Sequence, residues 1–379
     1  MITTINNKHK KLNVPNLRFP EFKGEWEKCK VSDLLDFYST NSLSWDKLEY
    51  GTDAIQNLHY GLIHVGLPTM IDLSKDKLPN ITNGNTPKNY ELCQEGDIAF
   101  ADASEDTNEV AKAVEFYKLK GKDVICGLHT IHGRDNQQKT VVGYKGYAFS
   151  STAFHHQIRR IAQGTKIYSI NSKNFFECYI GIPSKEEQKK IATLLRLIDE
   201  RIVTQNKIIE DLKKLKSAII NYAINSLDTD FAKFSSLYEM AGEGGTPTTS
   251  NGSFYDNGKM PFIKIDDLKQ KYLTENKDFI TELGLQKSSA WLVPTSSILF
   301  SNGATIGEIT ITTYPVCTKQ GILGIVPKQN IDVEYLYYFM SSSYFKKAVS
   351  RIVTEGTMRT AYLKDINNIL CPIPTKEEQ

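Results

Sequence analysis

One long stretch of the chain alternates apolar and polar positions with the period of a coiled-coil helix. From residue 184 to about residue 225, apolar side chains recur in steps of three and four, with Gln205 and Lys216 interrupting the series. This seam predicts inward-facing positions at Ile191, Leu195, Ile198, Ile202, Ile209, Leu212 and Ile219. At a rise of about 1.5 Å per residue the helix is about 60 Å long, so we expect a spacer between domains. A helix buried in one large core is the alternative, and the charged residues at the remaining positions disfavour it.

A capping signal stands at the start of this helix. Ser184 follows Pro183, and Glu187 stands three residues after Ser184, which is the spacing of a capping box. We therefore expect the helix to begin here, with the Glu187 side chain as the partner of the Ser184 cap.

The segments on either side of the helix are related to each other. The phrase "PSKEEQ" at 183–188 returns as "PTKEEQ" at 374–379, 191 positions later. Cys126 and Gly133 recur at the same distance as Cys317 and Gly324. Two copies of one domain are the economical interpretation. We predict a lead-in and first domain over 1–183, a spacer over 184–226, a second domain over 227–373 and the start of a second spacer over 374–379.

Each copy has the pattern of a mixed fold. Short runs rich in β-branched and aromatic residues, such as "GDIAFADA" and "SILFSNGA", are broken by Gly, Asn, Asp and Pro. Helical patterns follow in "SSTAFHHQIRRIA" and "DVEYLYYFMSSSYFKKAVSRIV". The predicted fold class is α+β, with two similar domains of mixed β-sheet and helices separated by the long helix.

Composition narrows the class of protein without naming a partner. The 379 residues are 40% hydrophobic with a net charge of +2, which neither demands nor excludes nucleic acid. The N-terminus has no apolar core of a secretory signal, and no run is long enough to span a membrane. The six scattered cysteines are expected to be reduced thiols, and we predict a cytoplasmic protein.

Catalytic motifs are missing from the sequence. It has no phosphate-binding P-loop, no glycine-rich dinucleotide fingerprint, no H-E-x-x-H and no motif of an amino-methyltransferase or nuclease. The best metal pattern is Cys126, His129 and His132, but in a strand Cys126 and His132 share one face while His129 points to the other. Since zinc needs three or four converging ligands, we expect no metal site. Because the catalytic motifs are missing, we also expect no catalytic residues.

Loop segments of both copies instead combine amides, hydroxyls, aromatic rings and basic groups. Asn and Gln pair with adenine, Arg and Lys pair with guanine, and Lys and Thr also hold phosphates. In the first copy the candidate DNA contacts are Gln56, Asn57, His59, Tyr60, Arg134 and Lys139. In the second copy they are Thr246, Thr248, Lys264, Asn302, Thr305, Lys319, Gln320, Thr357 and Arg359. A solvated loop position is the alternative for any one of them, and the prediction depends on their clustering at corresponding places.

The ordered combination of these segments resembles the specificity (S) subunit of type I restriction–modification systems. The residues that carry the resemblance are the N-terminal segment 15–34, "GGTP" with "PFIKIDDL", "ILFSNGATIGE" and "CTKQG", the diverged "AIQNLHYG" and "CGLHTIHGR", and "IPSKEEQKKIATLLRLIDERI". Together they cover nearly the whole chain from about Pro15.

The resemblance implies a non-catalytic subunit with two target recognition domains. Each domain would read one half of a bipartite double-stranded DNA target, and the spacer would set the distance between the halves. No cofactor is then expected on this chain. S-adenosylmethionine would belong to two modification (methyltransferase) subunits, and ATP and Mg to restriction (translocase and nuclease) subunits.

One departure from the family pattern concerns the spacer. The family pairs its first spacer helix with a second one, whereas this sequence stops at Gln379. We therefore expect the second helix to be absent and the seam to find another partner, either another copy of the chain or a modification subunit. Two other functions stay open, a stand-alone DNA-modifying enzyme with an unrecognised site and a protein-interaction scaffold.

Overall fold

The computed structural model describes residues 14–303, 305–353 and 359–379. The chain divides into two compact units, Met1–Gln205 and Asn206–Gln379, here called unit 1 and unit 2. No helix within the described ranges combines the length and the apolar character that crossing a membrane requires.

The described residues of unit 1, from residue 14 onwards, form thirteen strands and five α-helices before the long helix. The strands are β1 (Glu27–Lys30), β2 (Asp36–Tyr38), β3 (Leu48–Glu49), β4 (Gln56–Leu58), β5 (Met70–Asp72), β6 (Asn80–Ile81), β7 (Ile98–Ala101), β8 (Ala103–Ser104), β9 (Ala113–Lys118), β10 (Val124–Cys126), β11 (Thr130–Arg134), β12 (Tyr168–Ser169) and β13 (Tyr179–Ile182). The helices are α1 (Val31–Leu34), α2 (Tyr60–His64), α3 (Lys145–Phe149), α4 (Thr152–Ile161) and α5 (Ser172–Phe176). The main sheet has the order β2-β11-β7-β9-β5, and a second sheet has the order β10-β4-β6-β3.

The predicted long helix is confirmed as α6 (Lys185–Asn225). Its seam is exposed to solvent over most of its length, with Ile198, Ile202, Ile209, Leu212 and Ile219 between 45% and 59% exposed. The Ser184 hydroxyl accepts from Glu187 N–H at 3.3 Å, as a cap should.

The predicted capping box is wrong in its second half. The Glu187 carboxylate does not turn back to Ser184 but receives both Nε and Nη2 of Arg18, each at 2.7 Å, and Trp26 Nε1 at 3.2 Å. Glu187 is 1% exposed, so a buried carboxylate is compensated by a guanidinium from the N-terminal segment.

Unit 2 repeats the architecture of unit 1, with ten strands and four α-helices among the residues that the structure describes. The strands are β14 (Phe231–Lys233), β15 (Tyr238–Glu243), β16 (Met260–Ile263), β17 (Tyr272–Leu273), β18 (Phe279–Ile280), β19 (Ile298–Ser301), β20 (Ile309–Thr312), β21 (Cys317–Thr318), β22 (Ile322–Pro327) and β23 (Leu370–Pro372). The helices are α7 (Glu282–Gln286), α8 (Val333–Ser341), α9 (Ser343–Ile352) and α10 (Leu363–Ile366). The main sheet has the order β15-β22-β19-β20-β17, which is the order of unit 1 strand for strand.

The central strands of the two main sheets are buried on both faces. In β7, Ile98 and Phe100 lie in one apolar cluster while Ala99 and Ala101 lie in another. In β19, Ile298 and Phe300 are separated from Leu299 in the same way. Because alternate side chains of a strand point to opposite faces, this explains the unbroken apolar runs that the sequence shows at both places.

Caps of the equivalent helices confirm the repeat at residue level. Ser151 accepts from Phe154 N–H at 3.3 Å at the start of α4, and Ser342 accepts from Phe345 N–H at 3.2 Å at the start of α9. Ser342 also separates α8 from α9, so the single helical stretch expected over 332–353 is two helices.

Candidate nucleic-acid interface

Three loops of unit 2 converge at one end of its main sheet. Asn302 directly follows β19, and its N–H donates to Gly321 O at 2.9 Å in the loop between β21 and β22. The Asn302 side chain donates to Ala361 O at 3.2 Å, and Ala361 N–H donates back to Asn302 O at 2.9 Å. Asn302 is 1% exposed, so this predicted DNA contact fastens loops together beneath the surface.

The threonine-rich loop at 244–250 lies against the same place. A Cβ at Gly244 would overlap Thr318 O, so only glycine allows this approach. Gln320 N–H donates to the Thr246 hydroxyl at 3.4 Å. The structure therefore brings together exposed Thr248, Lys319 and Gln320, three residues that the sequence analysis proposed separately.

Two further predicted residues of unit 2 lie near this end. Lys319 N–H donates to Ile263 O at 2.9 Å, and Ile263 is the last residue of β16. Exposed Lys264 directly follows it. The Lys264 ammonium forms an ion pair with Asp278 at 2.7 Å. Exposed Arg359 lines a cavity of about 640 Å³ together with Ile306 and Lys346. Thr305 is exposed, and Thr357 lies outside the described residues.

Unit 1 builds the same loop pair with different side chains. Asp102 directly follows β7, and its N–H donates to His129 O at 3.1 Å in the loop between β10 and β11. The His129 ring lies 3.1 Å from the Asp102 carboxylate through Nδ1. The Tyr60 ring packs edge-on against His129, with centroids 5.2 Å apart, and Trp45 lies beside His59 at 4.5 Å.

Three predicted contacts of unit 1 are not on loops but in the interior. Gln56 and Asn57 lie on β4 and are 9% and 0% exposed. Asn57 Oδ1 accepts from Asn41 Nδ2 at 2.7 Å. His59 caps α2 by accepting from Gly61 N–H at 3.1 Å, and burial, followed by the charge of His129, lowers its pKa. The expected placement on a loop is corrected for Gln56 and Asn57, because a strand between two neighbours buries them, and His59 directly after that strand is buried too.

Arg134 and Lys139 are also engaged within the unit. Arg134 donates to both carboxylate oxygens of Asp97 at 2.8 and 2.9 Å and to Glu91 at 2.6 Å. These hydrogen bonds raise the pKa of Arg134. Burial would raise the pKa of Asp97, but hydrogen bonds from His132 and Arg134 hold it below its ordinary value. Lys139 donates to Asp33 O at 3.0 Å.

Several groups at these ends were not predicted from the sequence. His129, Asp102 and Trp45 were not proposed as contacts, although they lie in the unit 1 loop cluster. Exposed cationic side chains also lie on the two equivalent helices. They are Arg159 and Arg160 on α4 and Lys346, Lys347 and Arg351 on α9. The signal was available, since Arg160 and Arg351 stand 191 positions apart and belong to the repeat.

Comparison with known proteins shows to which family the two units belong. Residues 77–214 and 229–379 both match the family described as the type I restriction modification DNA specificity domain. The chain belongs to this family. The resemblance found in the sequence is thereby confirmed. The two matched regions are DNA specificity domains, and in the sequence one precedes the end of α6 while the other follows it. The family is one of specificity subunits rather than of catalytic ones.

Curated relatives are similar in sequence to this DNA specificity chain over different shares of its length. A putative type I restriction enzyme MjaX specificity subunit from Methanocaldococcus jannaschii is 24% identical over 395 residues, covering 98% of this chain and 88% of that protein. The MjaIX specificity subunit of the same organism is 32% identical over 158 residues, covering 40% of this chain and 35% of that protein. The Escherichia coli EcoR124I/EcoR124II specificity subunit is 24% identical and covers 54% of each chain.

Solved structures share the fold of this specificity chain. The S subunit of a type I restriction–modification system from M. genitalium superposes with a TM-score of 0.55 at 16% identity, covering 93% of this chain and 86% of the other. A chain from a structure on the assembly and conformational transition of the type I R-M system gives 0.57 at 15% identity, covering 96% and 88%. The predicted α+β class with two recognition domains and a spacer helix is confirmed.

Proposed function

We propose that this chain is the sequence-reading subunit of a type I restriction–modification complex, and that each unit reads one half of a bipartite double-stranded DNA target. The observation that carries the proposal is the shared loop pair. His129 O accepts from Asp102 N–H in unit 1 as Gly321 O accepts from Asn302 N–H in unit 2, after equivalent strands, and Gln320 directly precedes Gly321. Since one framework presents different donors and acceptors, the two units suit different base pairs.

Side chains at these loops divide into readers, phosphate contacts and supports. In unit 2 the readers are Thr248, Lys319 and Gln320, and in unit 1 they are Tyr60 and His129. Basic side chains that hold phosphates are Lys264 and Arg359, joined by the cations of α4 and α9, because phosphate contacts fix register without reading sequence. Exposed Thr305 is a further proposed contact of unit 2, and Thr357, outside the described residues, stays a proposed contact. The supports, which shape the loops from within, are Gln56, Asn57, His59, Arg134, Lys139, Thr246 and Asn302.

Catalysis in this proposal belongs to other subunits. Two modification subunits bring S-adenosylmethionine and methylate adenine, while restriction subunits bring ATP and Mg. Residues 1–183 and 227–373 form the two recognition domains, residues 184–226 the spacer, and residues 374–379 begin a second conserved region. The exposed seam of α6 supports an apolar contact with a modification subunit or with another copy of the chain. Burying apolar surface contributes about 25 cal/mol per Å² to the free energy of association.

A domain exchange tests the two-reader proposal. Residues 35–160 are replaced by the equivalent segment of another family member, the chain is expressed with its modification subunits, and the methylated motif is read by single-molecule sequencing. We expect one half of the motif to change while the other half and the gap stay the same. The matched exchange of residues 235–365 should change only the other half. An unchanged motif after either exchange would refute the proposal.

A further inference from the structure

Three side chains that commonly bind metals meet in the interior of unit 1, apart from the loop residues discussed above. Cys93 and Cys126 bring their sulfur atoms to 3.6 Å from each other. A ring nitrogen of His132 lies within 4.8 Å of both sulfurs. The three residues are 5%, 1% and 0% exposed. The expectation of no third ligand beside Cys126 and His132 is corrected, because Cys93 arrives from a segment that is 33 positions away.

The histidine is already oriented as a ligand. Its Nε2 lies 2.7 Å from the Asp97 carboxylate, which Arg134 holds in turn. Its other nitrogen, Nδ1, is buried and finds no hydrogen-bond partner among the described residues. A carboxylate on the far nitrogen of a histidine is the usual support of a zinc ligand, because it fixes the ring and leaves the near nitrogen free to bind.

The spacing of the sulfur atoms fits a tetrahedral metal. Two thiolates at about 2.3 Å from a zinc ion lie about 3.8 Å from each other, close to the observed 3.6 Å. A disulfide would need a sulfur separation of about 2.0 Å. Zinc bound by two thiolates and a neutral imidazole carries no net charge, whereas a monovalent copper ion would leave one negative charge in the interior beside Asp97.

Unit 2 shows that the fold does not require these residues. Cys93 N–H donates to Val124 O at 2.8 Å, and Val293 N–H makes the equivalent bond to Val316 O at 2.8 Å. At the positions equivalent to Cys93, Asp97, Cys126 and His132, unit 2 has Val293, Ser297, Thr318 and Gly324, so none of the four residues is retained. The same strands therefore pack without a cysteine, an aspartate or a histidine at these places, so the cluster of unit 1 has a purpose other than packing.

We propose that unit 1 binds one zinc ion through Cys93 Sγ, Cys126 Sγ and His132 Nδ1, with Asp97 as the support of His132. Three protein donors leave the fourth position of the metal to a water molecule. Cys126 and His132 stand on either side of the loop that carries His129, so the metal fixes the ends of that loop. Unit 2 has no equivalent site within its described residues.

Metal analysis of matched variants tests this proposal. The full chain, purified without a histidine tag or chelator, is expected to carry one zinc per chain, and its cobalt form should show thiolate-to-cobalt charge-transfer absorption. Cys126→Ala should lose the metal and the absorption, while Cys317→Ala, which removes a buried cysteine of unit 2, should keep both. Absence of metal from the wild-type chain after anaerobic reconstitution with zinc would overturn the proposal, as would equal metal content in the two variants.

A measurement on the wild-type chain covers the case in which Cys126→Ala does not fold. Alkylation of each cysteine is followed by mass spectrometry with and without a strong chelator. We expect the chelator to speed alkylation of Cys93 and Cys126 many-fold while buried Cys178, in the same unit, changes little. Equal rates with and without chelator, or a Cys93–Cys126 disulfide in freshly prepared protein, would mean that these are ordinary buried thiols.

Discussion

Gln188 and Gln379 make the same three hydrogen bonds, each inside its own unit. Gln188 donates to Pro183 O and Lys139 O at 2.9 and 3.1 Å and accepts from Val141 N–H at 2.9 Å. Gln379 donates to Pro374 O and Asn330 O at 3.0 and 3.1 Å and accepts from Asp332 N–H at 2.6 Å. The last residue of the repeated phrase is thus a clamp between the end of a domain and a loop of that domain.

Removing this clamp should destabilise unit 1. Gln188 is 0% exposed, so Gln188→Ala leaves buried backbone groups without partners. We expect the free energy of unfolding of unit 1 to fall by about 1–3 kcal/mol, measured by urea titration. The exposed neighbour serves as the control, and Lys189→Ala should change it by less than about 0.5 kcal/mol. Equal effects of the two substitutions would contradict the clamp.

Glu115 should make the stability of unit 1 depend on pH. Its carboxylate is buried, accepts from Gly143 and Gly146 N–H at 2.8 Å each, and lies 3.4 Å from the Lys145 ammonium. Burial raises its pKa above the ordinary value in spite of these partners. The folded state therefore holds this proton more tightly, and the stability it contributes at low pH is lost as the pH rises through the raised pKa.

The matched variant Glu115→Gln isolates that effect. Because Gln carries no charge at any pH, the variant should lose this part of the pH dependence, and its stability relative to wild type should rise as the pH increases above the ordinary pKa of a glutamate. Unfolding free energies of unit 1 at several pH values provide the measurement. Parallel curves for the two proteins would show that Glu115 has the same pKa in the folded and unfolded chains.

Gln320 should read one base pair of the half-site that unit 2 recognises. Gln320→Ala is expected to relax the methylated motif at one position and to cost about 1–3 kcal/mol against the preferred base. His129→Ala should act on the other half of the motif. Gln329→Ala is the control, because exposed Gln329 follows the opposite end of β22. A uniform loss of binding on all sequences would contradict the reader role of Gln320.

Cations on α9 should contribute to affinity without contributing to sequence preference. Lys346→Ala is expected to weaken binding to all sequences alike and to lower the slope of log K against log salt by about one. Lys328→Ala, at the opposite end of β22, should leave the slope unchanged. Titrations of a labelled duplex at several salt concentrations measure both. A changed motif with an unchanged slope would place Lys346 against bases instead of phosphates.

Much of the fold could be predicted because its signals are local. The period of α6, the Ser184 cap and the alternation around β7 and β19 each involve residues a few positions apart, where backbone geometry imposes the pattern. The duplication could be predicted because the phrase at 183–188 keeps its spacing from Cys126 and Gly133 in both copies. The division of the helical stretch at Ser342 could not, since a serine inside an apolar pattern is compatible with a helix.

The candidate site could be predicted in its location but less well in its residues. The segments around Thr246, Asn302 and Gln320 were proposed separately, and the structure brings them to one end of a sheet. Asn57 and Asn302 are of a residue type expected in a loop that reads bases, but both are buried. The sequence does not show this, because burial depends on the strands that pack on either side. His129 and Asp102 were missed, since their contact joins two loops that are distant in the sequence.

The sequence by itself determined that the chain has two related domains, a long helix between them and the family to which they belong. These properties are written in short segments, where spacing along the chain is also spacing in the fold. Only the tertiary structure decided that Glu187 pairs with Arg18, that Arg134 holds Asp97, and that Cys93 meets Cys126 and His132. Each of these contacts depends on how non-neighbouring strands and loops pack, and no local pattern of residue types specifies which distant side chains will share one buried space.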